Sequence, residues 1–327
     1  VKSMEANKRI ASYRDQVNSR LRELMENDVQ PESLYVPMRY VLEGDGKRVR
    51  PILLLLVNEL FHGNKTHAMD VAVSLEILHN FTLVHDDIMD QDHQRRGRPT
   101  VHTKWDVGTG ILSGDGLLAL AYKVLTEVNT PAILRILRLF TQGILEICEG
   151  QAFDKEFESR ADVEIDEYLI MIEKKTARLI AMACQMGGLV SGVSEERLSQ
   201  LNQFGLDLGQ AFQIQDDLLE MTSTMEVMGK SLGSDLFARK KTYVLIKARQ
   251  MADQSLRNQI DDLVENNSHS EEDFEHVKRL IAETGVIEAT QKTVKERIDS
   301  ALAILDQFEG NVSHLKQFTL QLLQRKS

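Results

Sequence analysis

Three carboxylates, Asp86, Asp87 and Asp90, fall within Leu83-Val84-His85-Asp86-Asp87-Ile88-Met89-Asp90. On an α-helix of 3.6 residues per turn, Asp86 and Asp90 stack on one face, with Asp87 three residues from Asp90. The flanks are apolar, and ionised carboxylates there are costly unless paired or bound to metal. The spacing recurs at Asp216, Asp217 and Glu220, again in an apolar helical setting. One such triad alone reads as an acidic helix face. Two with matching spacing read as a metal site. Oxygen ligands with no accompanying His or Cys point to a hard cation, and to Mg²⁺ in particular. Mg²⁺ keeps waters and bridges carboxylates to substrate phosphates. Two acid triads around one cavity would repel each other unless several cations and a polyanion joined them. The ligand implied is a diphosphate clamped by Mg²⁺ between two helices, with a deep apolar cavity for a hydrocarbon attached to it.

Basic residues cluster beside these acids. Gly44-Asp45-Gly46-Lys47-Arg48-Val49-Arg50-Pro51 is a glycine-bearing loop leading into a helix over 52–61, with Pro51 at its first position. Free N–H groups at a helix start suit an anion beside Lys47 and Arg50, although a charged turn is also commonly just solvated. Arg95-Arg96-Gly97-Arg98 follows the first triad. These arginines either neutralise it or offer planar forks to phosphate. His79, on the same helix as the first triad, reads by itself as a satisfied core histidine. Lys175 reads as an ordinary snorkelling lysine.

The elements that must position these groups are helices. All five prolines lie at or before Pro131, and 3.6-residue periodicity fills most of the chain without strand-type alternation. The expected fold is all-α, a single large helical bundle around a deep central cavity. The spans read as helical are 5–27, with Ile10, Val17, Leu21 and Leu24 on one stripe, then 67–90, 107–127, 130–157, 164–191 and 194–221. The helix over 67–90 is apolar nearly all round and so buried. Residues 222–241 are polar and glycine-bearing and read as a flap. The remainder reads as helical scaffold, with a polar break at 266–270 and a capping box from Ser270 to Asp273. A length of 327 residues would accommodate two average domains, yet no linker divides the chain, so one domain over 1–327 is expected. A net charge of −11 argues against nucleic acid. Cys148 and Cys184 read as reduced core residues of a cytoplasmic protein. No apolar run reaches the length of a membrane span.

Together, Gly46-Lys47-Arg48-Val49-Arg50-Pro51, His85-Asp86-Asp87-Ile88-Met89-Asp90 with Arg95-Arg96-Gly97, and Phe212-Gln213-Ile214-Gln215-Asp216-Asp217 resemble the trans-isoprenyl diphosphate synthases, in order and over most of the chain. The resemblance implies a homodimer that uses three Mg²⁺ per site to condense isopentenyl diphosphate head to tail with an allylic diphosphate. It implies Asp86, Asp87, Asp90, Asp216, Asp217 and Asp235 as metal ligands. Arg95, Lys175, Lys230 and Lys240 would contact the allylic diphosphate, and Lys47, Arg50, His79 and Arg96 would bind isopentenyl diphosphate. Thr176 and Gln213 would lie beside the reacting carbons. There are two departures. Glu220 stands where the family usually has Asp, and Arg239-Lys240-Lys241-Thr242-Tyr243-Val244 replaces a Gly-Lys-x-Thr-x-Pro pattern.

Product length turns on Phe81 and Thr82. Phe81 precedes Asp86 by five positions, about 7.5 Å along the axis. The helical wheel sets Thr82 most nearly in phase with Asp86 and turns Phe81 by roughly 100° from Thr82. The role of Phe81 comes from the resemblance, in which an aromatic here floors the cavity; from the pattern alone it is equally an ordinary core residue. A geranylgeranyl (twenty-carbon) product is expected, with farnesyl second. The competing readings are a class I terpene cyclase, a metal phosphohydrolase built on His85-Asp86, and a catalytic or structural subunit of a longer-chain synthase. The cyclase would not need the Lys47/Arg50 site, the hydrolase would need more histidine ligands, and a structural subunit would be expected to have lost motif residues.

Overall fold

The computed structural model describes residues 2–26, 30–44, 46–222, 240–265 and 271–323. The fold is all-α. The chain gathers into two compact units, one of Val1–Thr141, Met182–Asn202 and Phe308–Phe318, the other of Gln142–Ala181, Gln203–Gln307 and Thr319–Ser327.

In the first unit, α1 (Lys2–Met25), α2 (Glu32–Leu42), α3 (Val49–Leu60) and α4 (Lys65–Met89) pack together. The buried stripe of α1 is Ala6, Tyr13, Val17, Leu21 and Met25, so Ile10 and Leu24 sit at its margins. Helix α3 starts at Val49, earlier than the proline suggests. Its N-cap is Arg48, held in the left-handed region at φ 49°, and Pro51 still falls in the first turn, where its missing N–H costs nothing. Asn64 caps α4 by accepting from the His67 N–H at 3.0 Å. As its composition predicts, α4 is buried at Ala68 and continuously from Val71 to Leu78.

Between α4 and the short α5 (Val101–Lys104) lies a hairpin, β1 (Gln94–Arg95) against β2 (Arg98–Pro99). Its two-residue turn needs positive φ at both positions, met by Arg96 at 53° and Gly97 at 72°. Strands this short leave no alternation to read. Arg98 and Lys104 stack on the Tyr40 ring, each at 3.9 Å, and the Tyr40 hydroxyl donates to Pro99 O, which ties the hairpin to α2. Helix α6 (Val107–Thr126), capped by Asp106, packs along α4.

Helix α7 (Ile133–Ser159) runs on into residues of the second unit. There α8 (Ile165–Ile172) opens with a Glu164/Glu167 capping box and passes through a π-helical turn, Glu173–Ala177, into α9 (Arg178–Ser191). Helix α10 (Glu195–Thr222) ends on the second triad. It is followed by α11 (Tyr243–Met251), α12 (Gln254–Glu265), α13 (Glu271–Glu283), α14 (Val286–Leu305) and α15 (Ser313–Leu323). One apolar cluster here joins Leu218, Val244, Ile260, Phe274 and Ile281, and another joins Tyr168, Ile172, Ile214, Tyr243 and Val294.

Cys184 is buried as expected, but Cys148 is exposed, because the apolar stripe of α7 runs instead through Ile136, Phe140 and Ile147. The flap falls mostly on residues 223–239, and the polar break and Ser270 also lie outside the described residues. Among the described residues, no helix is long and apolar enough to cross a membrane.

Candidate active site

In the first unit Asp86 and Asp87 occupy the last turn of α4, and Asp90 is its C-cap. Helix dipoles place partial negative charge at a C-terminus, so these carboxylates gain from any cation. Arg95 supplies one. Its Nε and Nη2 reach Asp87 Oδ1 at 2.6 and 2.5 Å. Asp87 is 5 % exposed, and burial outweighs Arg95 in pushing its pKa up to about 6.

A second feature of this unit is a cradle of arginines around His79. Arg48 is its structural post. Nε donates to Asn18, Nη1 pairs with buried Glu76 at 2.8 Å, and Nη2 donates to the carbonyls of Leu42 and Gly44. Arg50 Nη1 donates to His79 Nε2 at 3.1 Å. A guanidinium has only donors, so this bond fixes the proton of His79 on Nδ1. Burial, and then the charges of Arg50, Arg96, Arg95 and Arg48, hold the imidazole neutral. His79 Nδ1 and Arg50 Nε are both buried donors with no partner, so His79 is not the satisfied core histidine its pattern suggests. Burial lowers the Arg50 pKa to about 10, which leaves it charged at neutral pH, and lowers that of Arg96. Arg96 lies over Gly46, where a Cβ would come within 2.8 Å of its Nη1. Two orphaned donors inside a cluster of cations make a site for an anion. Lys47 sits exposed on the adjoining loop.

In the second unit three backbones approach closely. A Cβ at Gly150 would overlap the backbone of Lys175, and one at Gly209 would overlap that of Ala177. This contact seats the π-turn carrying Lys175 and Thr176, and such turns recur at functional sites. Lys175 Nζ pairs with Asp154 at 2.6 Å. The Thr176 hydroxyl donates to Gln213 Oε1 at 3.0 Å, and Gln213 Nε2 donates to Asp217 Oδ1 at 3.0 Å. Asp217 Oδ2 also accepts from the Tyr168 hydroxyl at 2.5 Å and the Tyr243 N–H at 2.7 Å. Burial, and then Asp217, raise the Tyr168 pKa well above normal, so it remains a donor. Asp217 and Glu220 are buried, whereas Asp216 is half-buried. Thr242 caps α11, which turns the unusual Lys240-Lys241-Thr242-Tyr243 segment into an anchor for the second triad. Lys230 and Asp235 lie outside the described residues.

Sequence reasoning passed over Arg48, Glu76, Asp154, Tyr168 and Tyr243. Glu76, a lone acid in an apolar run, was a readable signal. The tyrosines left none.

Among the described residues no three His, Cys, Asp or Glu side chains already form a cage for an ion. Mg²⁺ needs none, since it takes one or two carboxylates and completes its shell with water and phosphate. Oxygen donors at helix C-termini fit a hard divalent ion.

The family model of the polyprenyl synthetases matches residues 31–281. This chain belongs to that family. It is similar to the geranylgeranyl diphosphate synthase of Methanosarcina mazei, 44 % identical over 67 % of this chain and 68 % of that one. It is also similar to the geranylfarnesyl diphosphate synthase of Natronomonas pharaonis, 37 % identical over 92 % of each. The crystal structure of geranylgeranyl pyrophosphate synthetase from Pyrococcus horikoshii superposes with a TM-score of 0.92 at 32 % identity, over 100 % of both chains. The protein is therefore a prenyltransferase, a trans-isoprenyl diphosphate synthase of isoprenoid biosynthesis, in a family that works with a divalent metal. The cyclase and hydrolase readings fall away.

Proposed function

We propose that this synthase condenses isopentenyl diphosphate with allylic diphosphates using Mg²⁺, three ions per site, and releases mainly geranylgeranyl diphosphate. The observation that carries this reading is the orphaned donor pair of Arg50 and His79 beside Arg96, an anion site made without any residue of the acid triads. It supports two diphosphate sites, as a chain elongation requires and a cyclisation does not.

Asp86, Asp87, Asp90, Asp216 and Asp217, with Asp235, would hold the metal on the allylic diphosphate. Arg95 would keep Asp87 in place for this, and Tyr168 and Tyr243 would do the same for Asp217. Bound Mg²⁺ would supply positive charge to the departing diphosphate. Arg95, Lys175, Lys230 and Lys240 would take its remaining oxygens. Lys47, Arg50, His79 and Arg96 would fix isopentenyl diphosphate. Thr176 and Gln213, locked to each other, would lie along the reacting carbons and offer oxygen dipoles to the developing allylic cation. The isopentenyl double bond forms the new carbon–carbon bond as the allylic carbon–oxygen bond breaks. The proton then lost goes to the leaving diphosphate, so the chain supplies no general base.

Phe81 and Thr82, one turn before the triad, would limit the growing chain. Phe81 is half-buried, and the Thr82 hydroxyl is tied back to His79 O at 2.7 Å. Relatives named as geranylgeranyl diphosphate synthases support the twenty-carbon length. The synthase would act as a cytoplasmic homodimer, and the two compact units as one functional domain, since the family match includes parts of both. The test is incubation with labelled isopentenyl diphosphate, primers of several lengths and Mg²⁺. Geranylgeranyl diphosphate should accumulate. Products of thirty carbons or more would overturn the length assignment, and no condensation would overturn the reaction.

A further inference from the structure

His85 is given no part in metal or substrate binding, yet its placement is tightly determined. It follows Phe81 by four residues on α4, so the two side chains meet on one helix face. Their rings lie edge to face, with centroids 4.8 Å apart and planes at 64°. On its other side the imidazole rests on the backbone of α6. His85 Nε2 lies 3.2 Å from Ile111 O, and since a carbonyl only accepts, Nε2 carries the proton and donates. Asp115 Oδ1 is 3.8 Å from the same nitrogen. The seat exists because residue 114 is glycine. A Cβ there would stand well under 3 Å from Nε2 and Cδ2 and 3.2 Å from Cε1, inside the volume that the imidazole fills.

We infer that His85 is a positioning residue for product length, and that Gly114 is the seat that lets it work. The inference rests on the reading that Phe81 limits the growing chain. A helical phenylalanine has two accessible χ1 wells, because the third drives the ring into the preceding turn. Which of the two Phe81 occupies is decided by its neighbour one turn on. His85 offers a fixed edge, pinned by the Ile111 carbonyl and the bare face of Gly114. The ring cannot swing while that edge stays in place. The Phe81 part of the length limit is thus set by three residues on two helices, of which only Phe81 would contact the product.

The experiment compares product distributions, with one primer and at matched turnover, for Phe81→Ala, His85→Ala, Gly114→Ala and the Phe81→Ala/His85→Ala pair. Phe81→Ala should lengthen the products. His85→Ala should lengthen them by at least one isoprene unit, without changing the KM for isopentenyl diphosphate. Gly114→Ala should resemble His85→Ala, because its methyl evicts the imidazole, and should add nothing once His85 is alanine. The double variant should match Phe81→Ala alone, since a brace has no effect when the braced ring is gone. A wild-type distribution in both His85→Ala and Gly114→Ala, with Phe81→Ala lengthened, would overturn the inference while leaving the role of Phe81 standing. So would a double variant whose products are longer than those of Phe81→Ala. No lengthening in Phe81→Ala would overturn the length reading itself, and this inference with it.

Discussion

The two acid triads share a spacing and a position at a helix C-terminus, yet their middle carboxylates are held by opposite means. Asp87 faces a cation, Arg95, and its pKa still rises to about 6 because burial costs more than the pairing returns. Asp217 accepts hydrogen bonds from neutral donors, the Tyr168 hydroxyl, the Gln213 amide and the Tyr243 backbone. An ion pair can reorganise when other charges arrive, since it depends on the local field. A cage of hydrogen bonds from a buried tyrosine, an amide and a main-chain N–H is fixed by the fold. The first triad is accordingly the adjustable one and the second the rigid one.

The largest effect should come from the outer acids, where the triads are alike. Asp86→Ala and Asp216→Ala should each leave a helical protein whose turnover falls about a thousandfold or more, the several kcal/mol expected of a lost metal contact. Steady-state kinetics at saturating Mg²⁺ would show it. Near-native turnover in either variant would remove that triad from the chemistry.

The middle acids should then separate. Asp217→Asn presents an amide N–H₂ to donors that need an acceptor, and should cost about 1–3 kcal/mol in denaturant unfolding. Asp87→Asn removes a charge that burial already penalises and leaves Arg95 partly solvated, so its loss should be clearly smaller. The reverse order would break the contrast between adjustable and rigid.

The arginine cradle gives the next effect. Arg96→Ala should raise the KM for isopentenyl diphosphate about tenfold to a hundredfold, the equivalent of a lost charge-assisted hydrogen bond, and should change the allylic KM little. Equal losses for both substrates would merge the two diphosphate sites into one.

The smallest effect is a pH dependence at Asp87. Folding raises the Asp87 pKa from 3.8 to about 6, so the folded state keeps the proton longer than the unfolded chain does. In metal-free protein this contribution to stability is present at acid pH and is lost as pH rises towards 6. Metal binding should run the other way, weakening as pH falls below about 6 and Asp87 takes up a proton. Calorimetric Mg²⁺ binding in Asp87→Asn should lose that pH step.

Much of the site was legible in the chain because its chemistry is local. The 0, +1, +4 acids, the Lys47–Arg50 loop and the Arg95–Arg96 pair each sit within a few residues of sequence, and helical periodicity places them. What stayed hidden depends on contacts between distant segments. Tyr168 and Tyr243 reach Asp217 across 49 and 26 positions, and no spacing rule connects them. Arg48 stands in the same basic loop as Lys47 and Arg50, and only its distant partner Glu76, with the carbonyls of Leu42 and Gly44, marks it as a post. Pro51 points to a helix start two residues later than the true one, because the left-handed Arg48 sets the cap of α3. The π-turn at Lys175 follows from glycine-mediated approach of three backbones, which a pattern of apolar residues does not encode.

The central claim is that both triads hold divalent metal on one allylic diphosphate. Titration of an unreactive allylic diphosphate analogue, with and without Mg²⁺, into wild type, Asp86→Ala and Asp216→Ala tests it most directly. Wild type should show Mg²⁺-dependent binding, and each variant should lose most of that dependence. Unchanged Mg²⁺-dependent affinity in Asp216→Ala would contradict it.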